Sequence, residues 1–342
     1  MLTILAAIFV FGILVTVHEF GHFIVAKMTG MRVEEFAIGF GPAIYKTRDG
    51  DTEYSLRLIP LGGYNKIAGM DPDDEPCEDG FNSKSIPARI AVILAGAIMN
   101  FLLPIVLFTG IYFVEGRDNI DNAPVLGRVV EYSAASRAGL KVGDKILSIN
   151  DKIINDWYEV VSTLQANGEK DVKLKVEREG KTQSFTMTPK YNPELKRALI
   201  GISPRITHEN VNIFEALKMA VDYTYYVITY MIDALQQIIT GKTAADVAGP
   251  IGVAQVAGKM AEKGLRPLFG FVALMSINLG VINLLPLPAL DGGHFILLII
   301  EALRGKPLSP VWMTRVQYVG IALILAITVF STFKDITRFR GL

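Results

Sequence analysis

Apolar residues along this chain concentrate in four long runs: Leu2 to about Ala26, Ile90 to about Val114, a stretch starting near Leu268, and Val316 to Phe333. A helix rises about 1.5 Å per residue and a bilayer core is about 30 Å thick, so each run predicts a spanning helix, in segments 1–28, 88–114, 268–300 and 315–335. The third is interrupted, because Pro286 and Pro288 lack an N–H and clash with the preceding turn. Residues 213–239 resemble a fifth span but are periodic. Ile213, Leu217, Val221, Tyr225, Ile228, Ile232, Leu235 and Ile239 share one side, while Glu215, Lys218, Asp222, Thr229, Asp233 and Gln236 fall on the other. That pattern predicts an amphipathic helix over 211–241 lying on a membrane or protein surface.

Between the first two spans the period changes to two. Gly39-Phe40-Gly41-Pro42, the alternating Thr52–Leu58 and Leu61-Gly62-Gly63-Tyr64 predict two or three short strands joined by Gly turns, a membrane-associated β-hairpin loop over 32–69. Beside a span, such backbone must be buried in protein or line water. It is either a plain cytoplasmic hairpin or part of an active-site entrance. The acidic stretch Asp71–Asp79 makes 70–87 a solvated cytoplasmic linker. Residues 120–204 have ordinary polar content and predict an inserted soluble α+β domain.

Composition agrees with a membrane protein carrying a soluble domain: 51% of the 342 residues are hydrophobic, yet 20% are charged. Net charge is zero and no Lys/Arg block appears, which argues against a nucleic-acid partner. The single Cys77 excludes an intramolecular disulfide and a Cys-based zinc site. No positive charge or small-residue cleavage pattern accompanies the first run, and Lys27 and Arg32 follow it, so it reads as an uncleaved span with residue 1 outside and Lys27 inside.

The first run contains His18-Glu19-Phe20-Gly21-His22. On a helix the four-residue offset puts both imidazoles on one face, where two neutral rings can bind Zn²⁺ while Glu19 takes a proton from water. Ionisable groups near the centre of a span cost about 2.5–3.5 kcal/mol each, so three together need a compensating role. Asn100 in the second span is a lone amide that serves as packing glue or lies near the zinc. The interrupted third run carries Asn283-Leu284-Leu285-Pro286-Leu287-Pro288-Ala289-Leu290-Asp291-Gly292-Gly293-His294, where Asp291 would be an uncompensated charge unless a cation such as Zn²⁺ sits beside it. His18 lies about 24 Å along its helix and Asn283 about 22 Å along a helix starting at Leu268. The depths match only if both run from outside to inside, which requires a single span between them and keeps 211–241 at the interface.

Ser133–Asp151, with its Gly139-Leu140-Lys141-Val142-Gly143-Asp144 turn and a strand ending in Ile149-Asn150-Asp151, resembles the core of a bacterial PDZ domain. A helix near Trp157–Gln165, a strand at Val172–Glu177 and a groove strand near Leu199–Ile202 extend the likeness. It implies a groove for an extended peptide tail, the alternative being a folded spacer. Taken with the His-Glu-x-x-His and Asn-x-x-Pro-x-Pro-x-Leu-Asp-Gly motifs, the whole chain resembles the site-2 protease family of intramembrane zinc metalloproteases, of the bacterial regulator-of-sigma-E type. Ala97 stands where many relatives have Pro, and one PDZ domain is present where some carry two.

The resemblance implies a polytopic helical protein of the bacterial inner membrane, with the PDZ domain extracytoplasmic. It further implies His18, His22 and Asp291 as zinc ligands, Glu19 as general base and then acid, and single-span membrane proteins as substrates, such as anti-sigma factors or remnant signal peptides. Asn283 would hold the unwound substrate backbone or the oxyanion, with Asn100, Gly39 and Gly41 as further substrate-binding candidates, and the Gly-rich hairpin would offer its strand edge. His294 is spaced for packing rather than ligation, and His208 is a surface residue. The competing reading is a non-catalytic zinc-binding scaffold or transporter, but a transporter needs polar residues along several spans, and a scaffold has no use for Glu19 between its histidines.

Overall fold

The computed structural model describes residues 1–71, 74, 77–192, 197–243 and 248–339. The Pro-rich core of the acidic linker, at 72–73 and 75–76, lies outside them. In chain order come α1 (Leu2–Met28), β1 (Val33–Asp49), β2 (Thr52–Ile67) and α2 (Ile86–Glu115). The inserted part holds β3 (Arg117–Ile120), β4 (Leu126–Val129), α3 (Ala134–Ala138), β5 (Lys145–Ile149), β6 (Lys152–Ile153), α4 (Trp157–Asn167), β7 (Val172–Arg178), β8 (Lys181–Met187), β9 (Lys190–Asn192), β10 (Arg197–Leu199), β11 (Ile202–Pro204) and β12 (Ile206–Glu209). Then follow α5 (Ile213–Ile239), α6 (Pro250–Glu262), α7 (Leu265–Asn283), α8 (Asp291–Arg304) and α9 (Pro310–Phe339). The chain forms two compact units, Met1–Phe113 with Asn212–Leu342, and Val114–Val211.

In the larger unit four helices among the described residues are long and apolar enough to cross a membrane: α1, α2, α7 and most of α9. Their relative directions follow from packing. Ala6, Val10 and Leu14 of α1 pack with Leu268 and Val272 early in α7, so these two helices run parallel. Val92 and Ile93, early in α2, meet Ala26 at the end of α1, and α2 runs the other way. Gly320 of α9 approaches the Pro288 backbone, while Asp335 near its end accepts from the N–H groups of Gly249 (3.1 Å) and Gly252 (2.8 Å) at the start of α6. These bonds cap a helix that has no side-chain cap of its own. Helix α6 has no long apolar run to announce it, yet it packs along α1 with Gly258 against Thr3.

Three features differ from expectation. The Gly-rich segment forms two long strands, not two or three short ones, and each pairs twice. Residues 33–38 lie between 52–56 and 63–67, while 43–49 pair with 52–57, leaving 63–67 as an edge. Gly39, Gly41 and Gly62 at φ +92°, +84° and +112° make the bends, a region closed to most side chains. The stripe predicted for α5 is also displaced: Ala216, Ala220 and Thr224 are buried against the bundle, whereas Leu217, Val221, Tyr225 and Ile232 are exposed. Small residues allow close helix approach, so they take the protein side. Finally, Arg89, just inside the start of the span predicted over 88–114, is buried and paired with Glu301 of α8, a partner that no local pattern foretold.

The smaller unit has a four-stranded sheet ordered β6-β5-β7-β8 around a core of Leu126, Ile146, Ile149, Trp157, Val160, Leu164, Val172, Leu174 and Val176. The alternation of β7 buries Val172, Leu174 and Val176 on one face. Asp156 caps α4 and Ser133 caps α3, which ends at Gly139 in the left-handed region. A cavity of about 320 Å³ opens between α4 and residues 198–204, lined by Trp157, Val161, Leu164, Ile200 and Ile202. Strands β3 and β12 pair outside the predicted 120–204 limits, so the unit is longer at both ends.

Asp144, only 1% exposed, accepts from Arg178 Nε and Nη2 at 2.7 Å each and from the Lys141 N–H at 2.9 Å. Burial pushes its carboxyl upward, but these donors prevail and hold it below the usual range. A depressed folded value means stabilisation that is complete above the ordinary pKa of about 3.9 and is lost as pH falls through the lowered value. Asp144→Asn should therefore destabilise this unit by about 1–3 kcal/mol at neutral pH, with the deficit shrinking in acid. Limited proteolysis of the full chain within 114–211, at neutral and acidic pH, measures both.

Candidate metal centre

The helical offset on α1 brings the His18 and His22 rings together edge to face, with centroids 4.7 Å apart. Helix α2 passes directly behind them because Gly96 has no side chain. A Cβ there would run into the His22 Nε2 and come within 2.6 Å of the His18 ring. One turn earlier, the Val92 carbonyl accepts from His22 Nδ1 at 2.8 Å, which leaves the Nε2 lone pair free. Asn100, fully buried, lies 3.0 Å from His18 Nδ1 and has no partner for Oδ1. Turning this amide over, as its outline permits, makes Oδ1 accept from the Nδ1–H and frees the His18 Nε2 as well. Ser276 of α7 in turn donates to the Asn100 carbonyl at 2.8 Å.

The third member arrives across the break in the later run. After Asn283 the chain turns sharply, with Ala289 at φ +69°, and restarts as α8 at Asp291. Gly292 and Gly293 make the turn possible, since a Cβ on either would strike the carbonyls of Leu284, Leu285 or Leu287. Asp291 Oδ2 thereby lies 3.3 Å from His18 Nε2 and 3.6 Å from His22 Nε2, with the two Nε2 atoms 3.2 Å apart. Tetrahedral coordination at the usual Zn–N and Zn–O lengths places ligand atoms about 3.3 Å from one another. Asp291 Oδ2 is buried without a hydrogen bond, which a carboxylate tolerates beside a cation. Zinc fits this donor set.

Glu19 is half-buried on the same helix and lies outside the three-atom cluster. The Asn65 backbone N–H, on the sheet edge, faces its carboxylate. Asn283 Nδ2 is 3.5 Å from His18 Nε2, on the side of the cluster. Asn100, read in the sequence as packing glue or a group near the zinc and carried among the substrate-binding candidates, is fully buried behind His18, beside the candidate metal site and not on a surface open to substrate. Gly39 and Gly41 are brought into the bend of the hairpin and not into the cluster. His294 lies one turn beyond Asp291, lining a cavity with Asn65. The exposed His208 pairs with Asp118 at 3.0 Å in the other unit.

A carboxylate knits the hairpin beside this cluster. Glu35 accepts from Ser55 Oγ (2.7 Å), Arg57 Nη2 (2.6 Å) and Tyr64 Oη (2.6 Å), and Arg57 also donates to the Gly41 carbonyl (2.7 Å). Burial pushes the Glu35 carboxyl up, but the three donors bring it down to about 2, while burial and the same carboxylate raise the Tyr64 phenol to about 12. One charged group thus ties together three of the four strand segments. Sequence reasoning missed it, along with the Val92 carbonyl, the Arg89–Glu301 pair and Asn65. Arg57 was visible as a lone charge between Leu56 and Leu58, and Glu35 at the end of an acidic pair before an apolar run; a backbone carbonyl leaves no such signal.

A bundle of apolar helices enclosing two histidines and a carboxylate, with a glutamate beside them, defines a metal-dependent hydrolase. Residues 6–327 match peptidase family M50. The zinc metalloprotease RasP of Geobacillus kaustophilus is 33% identical over 416 residues, covering 98% of each chain. The regulator of sigma-W protease RasP of Bacillus subtilis is 30% identical over 417 residues, again covering 98% of each. The PDZ domain of the SdrC-like protein from Listeria innocua aligns with 27% of this chain and all of its own at 24% identity and a TM-score of 0.22, too slight a match to add to the strands themselves. The chain belongs to peptidase family M50, the site-2 type of zinc metalloprotease. Membership of a peptidase family sets aside the scaffold or transporter alternative.

Proposed function

We propose that His18, His22 and Asp291 hold the zinc, that Glu19 is the general base, and that the chain cleaves single-span membrane proteins within the bilayer. The observation that carries this is the triangle of ligand atoms at 3.2, 3.3 and 3.6 Å, assembled from two apolar helices and the break after a third. Bound there, zinc supplies a Lewis acid that polarises a peptide carbonyl and makes water a nucleophile at neutral pH. Glu19 accepts the proton from the attacking water and returns it to the leaving amine. The Val92 carbonyl and Asn100 orient the imidazoles, and Asn283 is placed to donate to the substrate carbonyl oxygen as charge develops on it.

A transmembrane helix must unwind before it can be cut, since its own hydrogen bonds cover the peptide. The 63–67 edge of the sheet offers unpaired backbone groups to receive it as an added strand. Gly39 and Gly41 act by shaping the sheet that presents this edge. With residue 1 outside, α1 and α7 run inward and the site lies towards the cytoplasmic half of the bilayer, while residues 114–211 are extracytoplasmic and α5 lies at the interface. We read the enzyme as one of a bacterial cytoplasmic membrane, a reading that the bacterial sources of its relatives support. Anti-sigma factors and remnant signal peptides are substrates of the right form. The groove between α4 and β11 takes a peptide tail.

The test is cleavage in proteoliposomes of a single-span reporter, compared with the same segment fused in a soluble, non-membrane context. Cutting of the spanning form at a position within the bilayer, at least about tenfold faster than the soluble form, is expected. Equal rates, or cuts only in exposed tails, would overturn the intramembrane reading.

A further inference from the structure

Four helix ends of the larger unit meet at one level. Leu298 of α8 packs with Ala26 and Met31 at the end of α1, and Glu301, about a turn further, pairs with Arg89 at the start of α2. Arg304 ends α8, and α9 begins at Pro310 after a turn that Gly305 opens at φ +66°. In the orientation proposed above, this level is the cytoplasmic boundary of the bilayer. Arg304 and Lys306 stand here and Arg315 follows early in α9, and none of the three is paired with a carboxylate among the described residues. Glu301, which precedes Arg304 by one turn, is already committed to Arg89.

Between the end of α8 and the start of α9 opens a cavity of about 560 Å³, within the range of about 300–1,000 Å³ usual for small-molecule pockets. Its walls are of two kinds. Ile300, Leu308 and Trp312 make an apolar side, while Arg304, Lys306 and Ser309 supply two cations and a hydroxyl. Trp312 is 60% exposed, and Leu303 and Val311, the neighbours of Arg304 and Trp312 in the chain, are exposed as well. Tryptophan is enriched at the level of lipid headgroups, where its ring meets hydrocarbon and its N–H meets water. Unpaired cations beside an exposed apolar wall complement a molecule that has an anionic head and apolar chains.

We propose that this cavity binds one anionic phospholipid, with Arg304 and Lys306 on its phosphate and Ile300, Leu308 and Trp312 against the start of its acyl chains. It rests on the reading of these helix ends as a membrane boundary. The Arg304 guanidinium offers paired N–H donors that match phosphate oxygens, Lys306 adds a mobile point charge, and the Ser309 hydroxyl donates a further hydrogen bond. A zwitterionic lipid brings the same phosphate together with an ammonium group that both cations repel, so the site selects by net charge. Helix α8 carries Asp291 at its other end, and a lipid held here ties that helix to the leaflet.

The experiment places the full chain in vesicles of equal parts phosphatidylglycerol and phosphatidylcholine, with bromine on the acyl chains of first one lipid and then the other. The chain has two tryptophans, and Trp157 is buried in the core of the other unit, so quenching of fluorescence by bromine reports on Trp312. Brominated phosphatidylglycerol should quench at least about threefold more than brominated phosphatidylcholine, given the attraction of each cation to anionic lipid. Arg304→Gln combined with Lys306→Gln should bring the ratio to about one. Lys27→Gln combined with Lys84→Gln removes the same charge from the same boundary outside the cavity and should leave the ratio as it was. Equal quenching in the wild type would mean ordinary bilayer contact, and the site is overturned. A ratio that survives loss of Arg304 and Lys306, or falls equally in both double variants, belongs to general surface charge and overturns it too. Abolition of the excess by millimolar glycerol phosphate would make it a site for soluble anions and not for a lipid. Absence of quenching by either lipid would instead overturn the membrane boundary beneath it.

Discussion

Glu19→Gln is expected to retain its full zinc content and lose about 10²–10⁴-fold in kcat, the range that a positioned proton acceptor supplies. Glutamine matches glutamate in shape, so packing on α1 changes little. What it lacks is a group able to take a proton from water and pass it to the leaving amine. Because Glu19 stands outside the cluster of His18, His22 and Asp291, metal binding should not depend on its charge. Single-turnover cleavage of a spanning reporter, with zinc quantified in the same preparation, separates the two effects. Undiminished cleavage by this variant would remove Glu19 from the mechanism; loss of zinc along with activity would make it a ligand instead.

Asp291→Asn should act on the metal itself, lowering zinc affinity by at least about a hundredfold. A neutral carboxamide binds Zn²⁺ far more weakly than a carboxylate, and the two remaining imidazoles carry no charge to offset the cation in a buried site. The backbone at 291 need not move, since its position is set by the contacts of Gly292 and Gly293 with the Leu284, Leu285 and Leu287 carbonyls. Dialysis against a buffered chelator series, followed by metal analysis, gives the affinity directly. Asn283→Ala is the companion measurement: it should keep the zinc and lose only rate, because its amide lies beside the cluster without belonging to it. An Asp291→Asn protein that held zinc as tightly as the wild type would require a different third ligand.

The arrangement is built so that rigidity at the metal comes from small residues. Gly96 lets α2 lie against the imidazoles, Gly21 lets α1 approach the Ala95 carbonyl, and Gly320 lets α9 rest on Pro288. In a bundle of apolar helices packing, not hydrophobic burial, decides association, so close backbone approach is what holds the two halves of the site together. The Arg89–Glu301 pair adds a charged brace between α2, which orients the histidines, and α8, which carries the aspartate.

Much of this could be read from residue order alone. Four apolar runs stand out because a spanning helix must satisfy its own backbone and present an apolar surface on every side, a demand that leaves long, unambiguous tracts. The candidate metal centre was equally exposed: His18, Glu19 and His22 are within about one helical turn, and Asp291 stands at a break that two prolines announce. Local spacing sufficed for both. The sequence misjudged α5, where a periodic stripe identifies an amphipathic helix but cannot say which small residues will face a neighbour that is distant in the chain. It said nothing of α6, whose mixed composition makes sense only against α1 and the Asp335 cap. The double pairing of β1 and β2 depends on long-range register, which glycines permit but do not specify. Only the tertiary structure turned Asn100 away from substrate to the back of His18, paired Arg89 with Glu301, and left Asn65 unpartnered beside the centre. Each of these is a contact between residues from about forty to more than two hundred positions apart. Their meeting depends on how helices pack and where strands turn, and no local pattern of hydrophobicity or charge carries that information.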